Sequence, residues 1–418
     1  MRILLLSLYY PPLNTIAALR LKAFHDYLTE FGHTVDVITR YYDKEQQEGK
    51  SMLLGKISPL NFAPNYIRNE NVIYTNFDSA NTKLSFVAKL PPIIKGIYNY
   101  MQVDIFHFGW IKYVFDAYET EFKSNKYDYI IASYGPPIVM KLAKELSEKY
   151  NTPYVIDFRD SYIDERDKGI HLWIKRIIQH RILKNAKALI FSTDGMNYFF
   201  NTNATSQLKI LPSCVVYNGV DLAETSDPQA SLDDNLIKQF NEIKNNCSLL
   251  LLHTGTIYKE QNILFFINSV ERYNEQNKKQ VVILFLGLAD NKTEELPSRS
   301  FIHKFPKTSH ATALLLQKKA DVLLLPIWKD RYTGFSGKTM EYLFSENFII
   351  TSPKPQADLK TFFDISPNVH ITKDYDNFVE IIEGISTKKY IRAPLKNGGK
   401  LLRSYWIKKM SDFLLKIK

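Results

Sequence analysis

The apolar residues of this chain fall into two successive series, and in each of them short continuous runs alternate with stripes of helical period. Ile3–Ser7 is a continuous run that Pro11-Pro12 break, and Asn14 or Thr15 can cap a helix beginning after them. Ala17, Leu21, Phe24 and Leu28 then recur at helical spacing, Gly32 stops the helix, and Thr34–Thr39 alternates as a strand. The pattern returns as a strand at Tyr129–Ser133, a helix from Pro137 to about Tyr150, and strands at Tyr154–Phe158 and Ala188–Ser192. A polar stretch, roughly Asp221–Asn246, precedes the second series. There Leu249–His253, Val281–Leu286, Val322–Leu325 and Phe348–Thr351 read as strands, and Asn262–Tyr273, Ala311–Lys319 and Gly337–Phe344 as helices.

Apolar strands alternating with helices require parallel sheets covered on both faces. The expectation is an α/β chain of two doubly wound, Rossmann-like domains, residues 1–220 and 221–399, facing a central cleft. At 418 residues the chain is long enough for two cores. A composition 45% hydrophobic and 23% charged excludes a disordered or collagen-like protein. Tyr41–Lys126 has weak periodicity and predicts loops and short helices. Over residues 400–418, Leu401, Leu402, Tyr405, Trp406, Met410, Phe413, Leu414 and Ile417 form a helical stripe among lysines. That stripe is expected to pack back on the first domain, and a membrane-surface helix is the other reading.

Only two cysteines occur, Cys214 and Cys247, which predicts free thiols in a reducing compartment. No apolar run reaches the ~18 residues of a membrane-spanning helix. The opening MRILLLSLYYPP is too short in its apolar part, and lacks a small-residue cleavage site, to read as a signal peptide. These features predict a cytoplasmic protein. The formal net charge of +10 suits anionic partners: nucleic acid, acidic phospholipid or phosphorylated small molecules.

In open parallel sheets ligands lie beyond the carboxyl ends of the strands. Three such loops are rich in chemistry: Asp157–Glu165 (DFRDSYIDE), His253–Asn262 (HTGTIYKEQN) and Leu324–Leu343 (LLPIWKDRYTGFSGKTMEYL). In the third, Gly334 and Gly337 permit close backbone approach, Lys338 adds positive charge, and Glu341 lies one turn on, placed to accept hydrogen bonds from sugar hydroxyls. Ser336-Gly337-Lys338-Thr339 imitates the end of a P-loop, but that motif needs a glycine where Tyr332 stands. A P-loop-like ATP-dependent phosphotransferase is therefore the alternative enzyme class. Asp374-x-Asp376 precedes an apolar helix and reads as its cap. The nine histidines show no H-x-x-x-H or Cys/His clustering, so no metal site is expected.

Taken in order, these segments resemble the GT-B glycosyltransferases of the large retaining family 4, over nearly the whole chain. LLLSLYYPPLNTIAALRLKAFHDYLTEFGHTVDVITR is similar to the family's opening unit, and YDYIIASYGPP with TPYVIDFRDSY to a branch with a DFRD-type loop. KALIFSTD and VVYNGVD resemble the end of its acceptor domain, HTGTIYKEQN its first donor loop, and ADVLLLP…GFSGKTMEYL its nucleotide-sugar segment.

The resemblance implies transfer of a glycosyl unit from a nucleoside-diphosphate sugar, UDP- or GDP-linked, to an acceptor hydroxyl. It further implies retention of configuration; where the helix dipole and lysines neutralise the diphosphate no metal is required, and no other cofactor is expected. Glu341 matches the second acid of the family's Glu-x7-Glu motif, which holds the ribose. Gly334, Phe335, Ser336, Gly337, Lys338 and Thr339 fall in the loop that contacts the donor sugar and diphosphate. Gly255 and Thr256 match the diphosphate loop with Lys259 beside them, and Phe305 sits where the base is contacted. Arg159 and Asp160 stand where many members have a His-Asp pair near the transferred sugar, so Arg159, Asp160, Lys338 and Glu341 are the expected catalytic set. Asn14, Thr15, Arg20, Tyr134 and Gly135 are the expected acceptor contacts. The first acid of the motif falls at Thr333, and the usual Arg and Lys on the diphosphate fall at Thr256 and Gln261. The expected partner is a saccharide or lipid-linked saccharide acceptor, with no nucleic acid, and the +10 charge and the aromatics of the N-terminal domain suggest an anionic membrane surface at the inner face of the cell membrane. The role would lie in polysaccharide or glycoconjugate biosynthesis. A catalytically degenerate nucleotide-sugar or glycan binder is the remaining alternative.

Overall fold

Ile3, Leu4, Leu5 and Leu6 are all buried in strand β1 (Arg2–Leu6). Such a run is stable only where both faces of its sheet are covered. The computed structural model describes residues 1–13, 15–43, 65–77, 91, 107–221, 232–258, 261–277, 280–288, 296–327, 337–351 and 362–418. Contacts divide them into two units, Met1–Tyr217 with Trp406–Lys418, and Asn218–Tyr405.

In the first unit β1 leads into α1 (Ile16–Glu30), whose first turn is capped by the Thr15 hydroxyl accepting from the Ala18 N–H at 3.2 Å. Next come β2 (Thr34–Arg40), β3 (Tyr66–Asn69), β4 (Val72–Thr75), α2 (Ile111–Ala117), β5 (Tyr129–Ser133), α3 (Ile138–Tyr150) and β6 (Tyr154–Phe158). They are succeeded by α4 (Gly169–Leu183), β7 (Ala188–Phe191), α5 (Asp194–Asn203), α6 (Ser206–Lys209) and β8 (Ser213–Val215). The sheet runs β3-β4-β2-β1-β5-β6-β7-β8 and is parallel apart from the β3–β4 hairpin. That hairpin corrects the expectation of loops and short helices over Tyr41–Lys126. Val72, Ile73 and Thr75 are β-branched and β4 pairs in parallel with β2, but four residues are too few to display a period.

The second unit contains α7 (Asp234–Asn245), β9 (Leu249–Thr254), α8 (Ile263–Gln276), β10 (Val281–Leu286), β11 (Ile302–Phe305), α9 (His310–Lys319) and β12 (Val322–Leu325). It continues through α10 (Lys338–Phe344), β13 (Phe348–Thr351), β14 (Val369–Ile371) and α11 (Tyr375–Ser386). All its strands are parallel, in the order β11-β10-β9-β12-β13-β14. Asp374 caps α11, its carboxylate accepting from the Asn377 N–H at 2.9 Å.

A last helix, α12 (Arg403–Ile417), buries Trp406, Ile407, Met410 and Leu414. Within the first unit its Ser411 hydroxyl lies 2.7 Å from His33 Nε2, and Trp406 packs on Tyr217 with ring centroids 4.9 Å apart. The apolar stripe is therefore a packing face rather than a membrane-facing one. Cys214 and Cys247 are free thiols. Among the described residues no helix is long and apolar enough to cross a membrane.

In both sheets the strand order reverses beside the first strand of the unit, between β1 and β5 and between β9 and β12. In open parallel sheets such a reversal marks where ligands bind, beyond the carboxyl ends of the strands.

Candidate active site

In the second unit this edge is built around a lysine. Strand β9 ends in His253-Thr254 and turns at Gly255, whose φ of +81° suits glycine. A β-carbon at Gly255 would stand 3.3 Å from Lys338 Nζ, so the glycine also makes room for that side chain. Lys338 and Glu341 are three residues apart on α10 and share a face. The Lys338 ammonium donates to the Thr254 carbonyl and, at 3.5 Å, to that of Thr256. It also lies 3.2 Å from His253 Nε2. His253 Nδ1 is 3.0 Å from the Leu324 carbonyl. A carbonyl only accepts, so geometry assigns the proton to Nδ1 and leaves Nε2 to accept from the lysine.

Burial pushes His253 well below the usual histidine range, and the lysine charge pushes the same way. The imidazole is therefore neutral at pH 7. Burial also lowers Lys338 to about 8, with the Glu341 charge offsetting part of the shift. For Glu341, burial alone would raise the carboxyl. Hydrogen bonds from His310 and Gln317 and the charges of His310 and Lys338 outweigh it and hold the group below its ordinary value. Its Oε1 lies 3.1 Å from His310 Nε2, and its Oε2 accepts from Gln317 Nε2 at 3.3 Å. Glu341 is thus an ionised acceptor at neutral pH. The helix carrying it is pinned to β9 by Tyr342, whose hydroxyl accepts from the Thr254 N–H at 2.8 Å.

The structure therefore brings Gly255, Thr256, Lys338 and Glu341 to one edge. Phe305 ends β11 with its ring buried, and its carbonyl accepts from the Gly287 N–H at 3.0 Å. Thr339 is wholly buried, and its hydroxyl has no hydrogen-bond partner among the described residues. Gln261, at the position where the resemblance expects a lysine, braces the loop instead, donating to the Pro326 carbonyl at 3.1 Å. Lys259, Thr333, Gly334, Phe335 and Ser336 lie outside the described residues, as does Asn14. His253, His310, Gln317 and Tyr342 join the site without having been singled out by the sequence reading. The polar pair closing the LLLLHT run and the tyrosine next to Glu341 are the signals that mark two of them.

At the carboxyl edge of the first unit the arrangement differs. Arg20 is buried in α1. Its Nη2 and Nε donate to the Asp157 carboxylate at 2.6 and 3.1 Å, and its Nη1 donates to the Val216 carbonyl at 2.8 Å. Ser133 Oγ donates to the same carboxylate at 2.8 Å. Arg20 is thus a strut between α1 and the sheet, at a position expected to contact the acceptor. Thr15 likewise spends its hydroxyl on the helix cap.

Tyr134, Gly135, Arg159 and Asp160 do gather at the ends of β5 and β6. Arg159 Nε pairs with Asp160 Oδ2 at 2.9 Å, and its guanidinium lies 5.2 Å from the centre of the Tyr9 ring. Gly135 has φ +114°, and a β-carbon there would come within 2.4 Å of Arg159 Nη2. The Tyr134 ring packs against Phe158 and Tyr162. On β2, Arg40 is buried against Tyr42 and Phe77, its Nε and Nη2 without a partner among the described residues. Among the described residues no group of three or more His, Cys, Asp or Glu is disposed to hold a metal.

No family model matches this chain, and no curated protein matches it. Solved structures do, over the full length, and they define the class of fold: two Rossmann-like units in the GT-B architecture of glycosyltransferases. A trehalose-6-phosphate synthase, OtsA, is similar with a TM-score of 0.66 at 11% identity, covering 100% of each chain. HepE from Anabaena, solved in complex with UDP-glucose, gives 0.61 at 14% identity, again over 100% of each chain. Sucrose-phosphate synthase from Thermosynechococcus elongatus gives 0.60 at 13% identity, covering 100% of this chain and 97% of that one. At such identities the likeness is one of fold.

Proposed function

We propose that this protein is a glycosyltransferase that takes a sugar from a nucleoside diphosphate to an acceptor hydroxyl. The observation that carries the reading is the meeting of the Gly255 turn, the Lys338 ammonium and the ionised Glu341 carboxylate at the switch point of an all-parallel sheet. A carboxylate that only accepts suits the paired hydroxyls of a ribose. An ammonium beside a glycine turn suits a diphosphate, on which negative charge grows as the glycosidic bond breaks. At neutral pH Lys338 is mostly protonated, and a bound diphosphate would raise its pKa further.

In this reading Lys338 supplies the positive charge that a metal would otherwise bring, so transfer is metal-independent. Tyr134, Gly135, Arg159 and Asp160 take the acceptor side. HepE with UDP-glucose makes a uridine diphosphate donor the first to test, with GDP second. Retention of configuration and a role in polysaccharide or glycoconjugate assembly rest on the family 4 resemblance.

The test is thermal stabilisation by UDP, GDP and ADP, each with and without EDTA. A ligand at 100 times its dissociation constant adds about 2.7 kcal/mol. The expected result is stabilisation by one of them, insensitive to EDTA and lost in Glu341→Ala. Stabilisation by ATP only with magnesium, or a Glu341→Ala variant that keeps full affinity and transfer, overturns it.

A further inference from the structure

Helix α4 turns its core face inward through Ile178, Gln179, Ile182 and Leu183. On the opposite face Ile170, Trp173 and Ile177 stand at i, i+3 and i+7, and they are 66%, 60% and 48% exposed. Three large apolar side chains in one outward stripe form a contiguous patch on a helix otherwise anchored in the first unit.

The surroundings of that patch are strongly basic. Residues 166–187 hold seven Lys or Arg against one acid, Asp167, and the helix itself carries no acid at all. Asp167 is neutralised by Lys175 at 2.7 Å, and Arg166 pairs with Asp164. Arg176 donates to Asn203 Oδ1 at 2.9 Å, which ties α4 to α5. Lys168 before the helix, Arg181 in its last turn, and Lys184 and Lys187 beyond it are exposed. An apolar stripe with a tryptophan at its centre and a cationic rim matches a layered surface: anionic headgroups outside, acyl chains beneath.

We propose that α4 docks this protein on an anionic phospholipid surface, with Ile170, Trp173 and Ile177 entering the headgroup–acyl boundary and the flanking cations meeting lipid phosphates. The site stands apart from α12, whose apolar stripe is buried. It is also independent of the donor reading, because it uses no residue of the Lys338–Glu341 edge. Its consequence for the acceptor is positional. The segment joining β6 to α4 carries Arg159 and Asp160 and ends at Lys168, two residues before Ile170, so an acceptor held in the bilayer would be met by the same end of the first unit.

Sedimentation of the full chain with vesicles of phosphatidylcholine, and of phosphatidylcholine with about one third phosphatidylglycerol, tests the proposal. Wild type is expected to co-sediment with the anionic vesicles and to be released by high salt. Ile170→Ser with Ile177→Ser should weaken binding by about tenfold or more, since each exchange removes a side chain's worth of apolar transfer. Lys168→Glu with Lys184→Glu should weaken it through the headgroups alone. Both are surface changes, so far-ultraviolet circular dichroism and nucleotide stabilisation should match wild type, which separates this proposal from the transferase reading. Wild type that stays in the supernatant with anionic vesicles overturns it. So does an Ile170→Ser, Ile177→Ser variant that sediments like wild type. A wild-type dimer dissolved by the same pair, with no vesicle binding, would overturn it too and assign the stripe to a second copy instead.

Discussion

The two units share a strand order around their first strand, yet they handle charge at the carboxyl edge in opposite ways. In the first, Arg20 is buried against Asp157, whose carboxylate also accepts from Ser133, so a full ion pair is used as a structural tie. In the second, Lys338 is placed against two backbone carbonyls and a neutral imidazole. One cation is neutralised by the fold; the other is left with charge to give to a ligand. A shared strand order around the switch point therefore does not imply a shared use of it, and the side chains around each cation decide it.

The contrast can be broken at its strongest point. Removing one partner of a buried ion pair leaves the other uncompensated, so Asp157→Ala should cost about 3–5 kcal/mol in a denaturant titration. Nucleotide affinity of the folded fraction should be unchanged, because Asp157 lies in the other unit. Glu341→Ala should do the reverse. Loss of hydrogen bonds to a charged acceptor is worth about 1.5–3 kcal/mol of donor binding, read by calorimetry, with a much smaller effect on stability.

The lysine sharpens the comparison through pH. Its folded pKa of about 8 lies below the ordinary 10.5. Between those values the unfolded chain binds more protons, so this group's contribution to stability rises with pH. Diphosphate affinity should instead fall as pH climbs through about 8 and the ammonium is lost. Lys338→Met should flatten both trends, and a wild-type affinity that is level from pH 7 to about 9 would sink the assignment.

Smaller effects are expected at the turn and the caps. Gly255→Ala places a β-carbon at positive φ and 3.3 Å from Lys338 Nζ. It should cost about 1 kcal/mol or more in stability and also weaken nucleotide binding. Asp374→Ala in the second unit and Thr15→Ala in the first each remove a helix cap. Each should cost about 1 kcal/mol with no effect on nucleotide affinity.

Much of the fold was legible because buried parallel strands are short unbroken apolar runs. Tyr129–Ser133, Tyr154–Phe158, Val281–Leu286 and Val322–Leu325 have the same bounds in the sequence reading and in the structure. The β3–β4 hairpin was not, nor were β8 and β14, which are three residues each and carry no period. Helix α4 escaped for a different reason. Apolar residues lie on both its inner and outer faces, which blurs the single stripe by which a surface helix is recognised.

At the candidate site, glycine, lysine and glutamate stood out as residue types in the right order after a strand. Their order along the chain, like the alternation of strands and helices, was set by local chemistry: propensity, periodicity and the turn preference of glycine. What only the tertiary structure decided is which polar groups face one another. Arg20 and Lys338 are both cations on helices that follow a strand in the sequence. One meets Asp157 from 137 residues away, and the other meets His253 from 85 residues away. Those meetings arise when strands distant in the chain become neighbours in a sheet, and burial then fixes how strongly each charge is held.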